Sequence, residues 1–303
     1  MKKLSVICPI YNEEKSLPLF IEEIKKIEEK ISSNYQLDII FSNNSSTDNT
    51  LNLLQEFSNK YENIYYYTLS KNFGYQNSLN FSLKNTTGDL FAIIDSDGED
   101  PPTMILDFLK KYEEGNDIVY GERVNRPEGF ILKKMRNLFY KTLKFFSDDE
   151  IILNMAEFSL FTNEVREHLI EENSSFPFLR SAISRIGFNV MPIPYTRKKR
   201  FAGKSNYNLF SMIKFAVAGI LASTTLPLRF PIYFFPFWLG GSTFFLFNTS
   251  SMFFWKYFIF ISTVYLVLIL SFISIYIARI YKNGLMRSNA YLIKKKSRIQ
   301  KVS

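Results

Sequence analysis

No charged residue occurs between Arg229 and Lys256 of this 303-residue chain, or between Lys256 and Arg279, and both intervals are rich in Phe, Ile, Leu, Val and Tyr. A helix that is apolar all round has no face to offer water, so such segments are either buried or placed in lipid. As a helix, the stretch from Tyr257 to Ala278 reaches about 33 Å at 1.5 Å per residue, close to the roughly 30 Å of a hydrocarbon core. The earlier interval contains Pro231, Pro236, Gly240 and Gly241, which membrane helices tolerate better than soluble ones. Neither Phe244 to Phe247 nor Tyr257 to Leu270 has a polar stripe, which disfavours two buried helices of a soluble core. Two transmembrane helices are therefore expected within 229–282. Arg229 precedes them, and Arg279, Lys282, Arg287 and Lys294 to Lys296 follow, so both flanks read as cytoplasmic.

Residues 208–228 carry Leu209, Met212, Ile213, Ala216, Val217, Ile220 and Leu221 at helical spacing. A helix lying on the membrane surface and an ordinary amphipathic core helix both fit this pattern. The expected organisation is a body over 1–207, this surface helix, a transmembrane hairpin and a basic tail over 283–303. At the N-terminus, Pro9 and Asn12 interrupt the apolar run before a signal-peptide core would be complete, so the body is expected in the cytoplasm. The net charge of +8 could suit nucleic acid, acidic lipid or phosphorylated substrates; its juxtamembrane placement favours lipid and argues against nucleic acid. The single cysteine, Cys8, excludes a disulfide framework and a cysteine-based metal site, and reads as a buried strand residue. His168, the one histidine, lies in a polar helical run and reads as a surface residue.

The first part of the chain alternates strand and helix patterns. Strands are expected at 4–10, 37–41, 63–69 and 90–95, and helices at 16–30, 48–60 and 75–84. This alternation predicts an α/β fold with a largely parallel sheet covered by helices and with ligands at the carboxyl ends of the strands. There the fourth strand ends in Asp95-Ser96-Asp97-Gly98-Glu99-Asp100-Pro101-Pro102. Two carboxylates separated by one residue can hold a hard divalent cation that bridges the oxygens of a diphosphate. An Asp-x-Asp is common by itself; the strand before it and the proline pair after it single this one out.

Together with that block, Val6-Ile7-Cys8-Pro9-Ile10-Tyr11-Asn12-Glu13-Glu14, Asn43-Asn44-Ser45-Ser46-Thr47-Asp48 and Lys71-Asn72-Phe73-Gly74 resemble the ordered blocks of glycosyltransferase family 2. The chain is similar, over nearly its whole length, to the polyprenyl-phosphate glycosyltransferases of that family. The resemblance implies a GT-A fold, Rossmann-like, with helices on both sheet faces. It assigns Pro9, Tyr11, Glu13, Asn43, Asp48 and Lys71, with Asp95, Ser96 and Asp97, to the nucleotide-sugar, and gives Asp95 and Asp97 a Mg²⁺ or Mn²⁺ ion. Relatives usually have an aspartate where Asn43 stands. An amide both donates and accepts hydrogen bonds but supplies no carboxylate, and a turn capping the helix near Asp48 is an equally simple role.

The resemblance further places Arg123, Arg126 and Arg136 on a lipid phosphate. Planar guanidinium forks suit phosphate oxygens better than ammonium groups do, whereas Lys133 and Lys134 fit a basic face toward anionic head groups equally well. Asn154-Met155-Ala156-Glu157-Phe158-Ser159-Leu160 resembles a block that usually reads Gly-Asp-Phe followed by arginine, so Glu157 replaces an aspartate and Ser159 an arginine. Glu157 is read as a residue that positions acceptor or sugar, because a lipid phosphate has no proton that must be removed. Arg197, Arg200 and Ser205, around Gly203, match the segment expected to close over the phosphates.

The implied reaction is an inverting transfer of a hexose from a nucleotide-sugar, UDP-glucose first and GDP-mannose as the alternative, to undecaprenyl phosphate at the cytoplasmic face of a multi-pass membrane protein. Asp95, Asp97, Glu157 and Arg200 are the catalytic candidates. Family resemblance also implies self-association through the membrane region. A processive polysaccharide synthase would carry a Gln-x-x-Arg-Trp block and more spans, and neither is found. A degenerate scaffold is motivated by Asn43 and Glu157 and opposed by the intact Asp95, Asp97, Arg123 and Arg200.

Overall fold

A computed structural model describes residues 1–124, 155–172, 174–202, 224–248, 252–285 and 287–300, with positions 134, 152, 217 and 219–221. The expected phosphate ligands Arg126, Arg136 and Ser205, Gly203 and most of the proposed surface helix lie outside the described residues.

Strand β1 (Lys2–Ile10) is apolar and buried from Leu4 onward. Helix α1 (Leu17–Ile31) opens with a proline in its first turn and buries Leu17, Phe20, Ile21, Ile24, Ile27 and Ile31, the spacing of one helical face. The chain continues through β2 (Tyr35–Asn43), α2 (Thr50–Lys60), β3 (Ile64–Thr68), α3 (Tyr75–Asn85) and β4 (Leu90–Ile93). These are the alternating elements expected, with ends displaced by a few residues. Next come α4 (Met104–Glu113), β5 (Ile118–Arg123), β6 (Met155–Thr162), α5 (Asn163–Glu171), α6 (Leu179–Arg185) and β7 (Val190–Tyr195).

The seven strands form one sheet in the order β3-β2-β1-β4-β6-β5-β7. Only β6 runs antiparallel to its neighbours β4 and β5. Helices cover both faces, as expected. Phe20, Ile24, Leu54, Ile105 and Phe108 of α1, α2 and α4 pack one face; Leu79, Leu83, Val165, Leu169, Leu179 and Ile183 of α3, α5 and α6 pack the other. β1 pairs with β2 on one side and β4 on the other, so the connections leaving the carboxyl ends of β1 and β4 diverge and open a crevice there.

The two uncharged intervals fold as helices α7 (Leu226–Asn248) and α8 (Met252–Gly284). The expectation of two spans is corrected in one respect: among the described residues one helix, Trp255–Gly284, is long and apolar enough to cross a membrane. α7 carries Pro231 and Pro236 inside the helix and Gly240 and Gly241 beyond them, which interrupt its apolar run. α8 holds α7 through polar contacts. Tyr265 donates to the Pro231 carbonyl at 3.0 Å and Trp238 Nε1 to Ser262 Oγ at 3.3 Å.

The body is fastened to the end of α8. Ser175 Oγ donates to the Lys282 carbonyl at 3.0 Å, its amide to Asn283 Oδ1 at 2.9 Å, and Arg279 stacks 4.6 Å above the Phe176 ring. The chain then returns to the sheet. Tyr66 and Arg298 exchange backbone hydrogen bonds at 3.0 Å in each direction, and Ile293 donates to the Thr68 carbonyl at 2.8 Å. β3 is an edge strand, and this pairing satisfies backbone groups that an open edge would leave exposed. Gln300 anchors the segment: it is 3% exposed, donates to Asp38 Oδ2 at 2.6 Å and accepts from the Thr87 amide at 2.8 Å.

Gln300→Ala strips a donor from buried Asp38 and is expected to cost about 1–3 kcal/mol. The expected result is a lower unfolding midpoint in detergent together with faster amide exchange at Tyr66 and Thr87.

Candidate active site

The crevice is built from loops that are tied to each other before they could touch any ligand. After β1, Asn12 Oδ1 accepts from the Thr47 amide at 2.8 Å, and the Glu13 amide donates to Thr50 Oγ1 at 2.9 Å. Asp48 accepts from the Glu14 amide at 3.2 Å and from the Thr50 amide at 3.0 Å, a short turn that ties the loop after β1 to the first residue of α2. Asn43 Oδ1 accepts from the Ser46 amide at 3.0 Å, so this side chain does form a turn leading to α2. Its Nδ2 is buried without a hydrogen-bond partner, an unspent donor at the carboxyl end of β2. Asn44 bridges to the next loop, accepting from the Phe73 amide and donating to Asn72, each at 2.9 Å. Pro9 is buried within β1, Tyr11 is exposed at the rim, and Lys71 stands at the rim with its ammonium 5.1 Å from the Phe73 ring centre. Burial raises Glu13 above the usual carboxylate range, against the Ser16 hydroxyl that bonds it.

Just beyond β4, Asp95 accepts from the Tyr75 hydroxyl at 2.9 Å. Removal from water, reinforced by Asp97 and Asp100 nearby, pushes Asp95 up to about 7. Ser96, Asp97 and Asp100 are buried, and desolvation also raises Asp97. Gly98 makes the turn with φ +79°, and a Cβ there would come within 2.5 Å of the Phe201 ring. The loop therefore requires glycine both for its left-handed backbone and for the aromatic side chain lying on it.

Phe201 belongs to the segment after β7, which closes on the acidic loop along its length. The Phe201 amide donates to the Asp97 carbonyl at 2.8 Å, and the Lys198 amide to that of Glu99 at 2.9 Å. Arg200 reaches Asp97 Oδ2 at 2.8 Å and Glu99 Oε1 at 2.9 Å. Arg197 reaches Glu99 Oε2 at 2.5 Å and Asp100 at 3.6 Å. At the end of β5, Arg123 pairs with Asp100 at 3.3 Å and donates to Tyr195 Oη at 3.1 Å, while the Tyr195 hydroxyl donates to Asp100. Burial opposes the Arg123 charge, but Asp100 and Tyr195 more than offset this and raise it.

The structure thus brings Asp95, Asp97, Arg123, Arg197 and Arg200 to one carboxyl edge. Glu157 lies on β6, 5% exposed, paired with Arg180 at 2.9 Å and receiving Gln76 Nε2 at 3.1 Å. Sequence reasoning gave no role to Tyr75, Gln76 or Arg180. Tyr75 and Gln76 directly follow the Lys71-Asn72-Phe73-Gly74 block and could have been found as the opening of a helix at the strand ends; Arg180 had no signal. Among the described residues no group of three or more His, Cys, Asp or Glu converges as a metal site. The donor set nevertheless suits a hard divalent cation: hard oxygens on neighbouring carboxylates, with Asp95 pushed up by burial and, after that, by its acidic neighbours.

Because the folded chain holds the Asp95 proton more tightly than the unfolded chain does, this group's stabilisation is complete below the ordinary carboxylate range and is lost as the pH rises through about 7. Thermal unfolding in EDTA from about pH 5 to about pH 8 checks this: the wild type is expected to lose more stability across the interval than Asp95→Asn.

Residues 5–170 match the family described as Glycosyl transferase family 2. The chain is 29% identical to an uncharacterized glycosyltransferase, YkcC, of Bacillus subtilis strain 168, across 96% of this chain and 93% of that one. It is 30% identical to the bactoprenol glucosyl transferase of Shigella phage SfX, across 75% and 74%. Among solved structures, mannosyl-3-phosphoglycerate synthase from Rubrobacter xylanophilus superposes with a TM-score of 0.50 at 18% identity, over 73% of this chain and 72% of that one, a likeness of fold. With more than half its length matched and its motif blocks gathered at one sheet edge, the chain belongs to glycosyl transferase family 2.

Proposed function

We propose that this chain transfers a hexose from a nucleoside-diphosphate sugar to a polyprenyl phosphate at a membrane surface. The observation that carries the reading is the meeting of the Asp95/Asp97 pair with Arg123, Arg197 and Arg200, on a body bonded directly to the end of an apolar helix. An anionic pair facing three guanidinium groups suits a reaction in which a cation, a diphosphate and a second phosphate come together. The similarity to a bactoprenol glucosyl transferase supports the lipid acceptor and makes UDP-glucose the first donor to try.

In this account Asp95 and Asp97 would hold Mg²⁺ or Mn²⁺, the cation supplying charge neutralisation for the leaving diphosphate. Arg200 keeps Glu99 as its anchor and offers its other edge to the diphosphate when Asp97 serves the cation. Arg123, fixed by Asp100 and Tyr195, and Arg197 hold the acceptor phosphate, with Arg126, Arg136 and Ser205 as further candidates. An acceptor phosphate oxygen attacks the anomeric carbon as the bond from that carbon to the diphosphate oxygen breaks. The nucleoside diphosphate leaves and the configuration inverts. No proton has to be abstracted, so no general base is needed. Pro9, Tyr11, Glu13, Asn43, Asp48, Lys71 and Ser96 frame the nucleotide side, where the unspent Asn43 Nδ2 suits an acceptor atom on the base.

The same contacts support a membrane arrangement. Tyr276 donates to the Thr224 carbonyl at 2.9 Å and Arg279 to that of Leu221 at 3.1 Å, so the entry to α7 and the exit of α8 lie side by side next to the body. The body and residues 287–300 sit at the end of α8 that carries Arg279 and Lys282, the cytoplasmic end of a membrane-crossing α8 by the distribution of Lys and Arg.

Asp97→Asn is expected to lower cation-stimulated nucleoside diphosphate release, measured in membranes with lipid acceptor present, by about a hundredfold or more. Full activity in this variant would remove the assigned cation site.

A further inference from the structure

Glu157 is held by one oxygen only. Its Oε1 accepts a hydrogen bond from Gln76 Nε2 at 3.1 Å and is ion-paired with Arg180 Nε at 2.9 Å, whereas Oε2 is buried with no hydrogen-bond partner. The holders are themselves fixed. Gln76 sits in the first turn of α3, and its Oε1 accepts from the Leu179 amide at 3.3 Å, at the first residue of the helix that carries Arg180. α3, β6 and α6 are thus laced around one carboxylate. The residue preceding Gln76, Tyr75, bonds Asp95, and the β4–β6 ladder ends at the pair Ile93 and Ser159. Two residues further along each antiparallel strand stand Asp95 and Glu157, and Tyr75, whose hydroxyl bonds Asp95, also feels the Glu157 charge, so the carboxylate lies on the side of the sheet edge that carries the acidic pair.

A buried carboxylate oxygen without a donor is costly unless a ligand supplies one. A bare phosphate oxygen cannot supply a donor, whereas a hydroxyl of the donor's sugar can. We propose that Glu157 Oε2 accepts a hydroxyl of the donor's sugar, and that Arg180 and Gln76 are positioning residues that aim it. The inference rests on the donor half of the proposed function, a nucleotide-sugar on the acidic pair, and is independent of the acceptor. Strand β6 presents Ser159 on the same face, two residues on, and its hydroxyl turns back to the Glu157 carbonyl at 2.9 Å; the cation beside this carboxylate comes instead from α6.

The test is binding by the full chain in detergent with Mn²⁺, comparing UDP-glucose, UDP-galactose and GDP-mannose with free UDP and GDP. Wild type is expected to bind one nucleotide-sugar more tightly than its free nucleotide. Glu157→Gln and Arg180→Met are expected to remove that advantage, weakening the nucleotide-sugar by at least about tenfold while leaving the free nucleotide unchanged, and Arg180→Lys to recover part of it. Variants that keep the full advantage, variants that lose the free nucleotide equally, or a wild type with no advantage for any sugar would each overturn the proposal. A wild type that shows the advantage yet glycosylates no polyprenyl phosphate would refute the acceptor reading and leave this inference standing.

Discussion

Four carboxylates, those of Asp95, Asp97, Glu99 and Asp100, fall within six residues at the end of β4, and Asp97 and Asp100 are buried. Like charges so close, with little water, repel strongly. The loop is tenable because Arg123, Arg197 and Arg200 arrive from β5 and from the segment after β7 to meet them. That compensation fixes much else: the Gly98 turn under Phe201, the Tyr195 hydroxyl between Asp100 and Arg123, and the approach of a basic segment to the sheet's carboxyl edge. None of these arginines is paired directly with Asp95, which burial, reinforced by Asp97 and Asp100, pushes up to about 7 and which has Tyr75 as its hydroxyl donor. An edge that still carries uncompensated negative charge after three arginines is prepared for a cation, and arginines held by carboxylates are already placed for phosphate.

The connection to the apolar helix is equally physical. Ser175, Phe176 and Asn289 tie the body to the end of α8, and the segment beyond it covers the open edge of β3, with Gln300 closing over Asp38. The site is thereby fastened to the apolar helix, as the proposed reaction between a soluble donor and a lipid-borne phosphate requires.

Much of this was legible in the sequence because each signal was local. The 2- and 3.6-residue periodicities located the first seven elements, Asp95 and Asp97 announced themselves by spacing and charge, and Arg197 and Arg200 by the segment's resemblance to the family. The reversal of β6 was not legible, since Met155 to Thr162 is an apolar run that reads the same in either direction. Nor was the partnership of Glu157 with Gln76 and Arg180, residues from α3 and α6 separated by about a hundred positions that meet only once the sheet is covered. Asn43 illustrates the intermediate case: its turn with Ser46 could be read locally, whereas its unspent Nδ2 depends on burial. The apolar intervals foretold two helices, but composition alone did not separate α8, apolar enough to span, from the proline- and glycine-bearing α7.

The most direct test of the central claim is transfer of radiolabelled sugar from a panel of UDP- and GDP-sugars to undecaprenyl phosphate, in membranes containing the protein, with and without EDTA. The account predicts a labelled lipid-phosphate sugar from one donor, formed with Mg²⁺ or Mn²⁺ and abolished by EDTA. Folded protein that forms no labelled lipid from any donor, or forms it equally in EDTA, would contradict it.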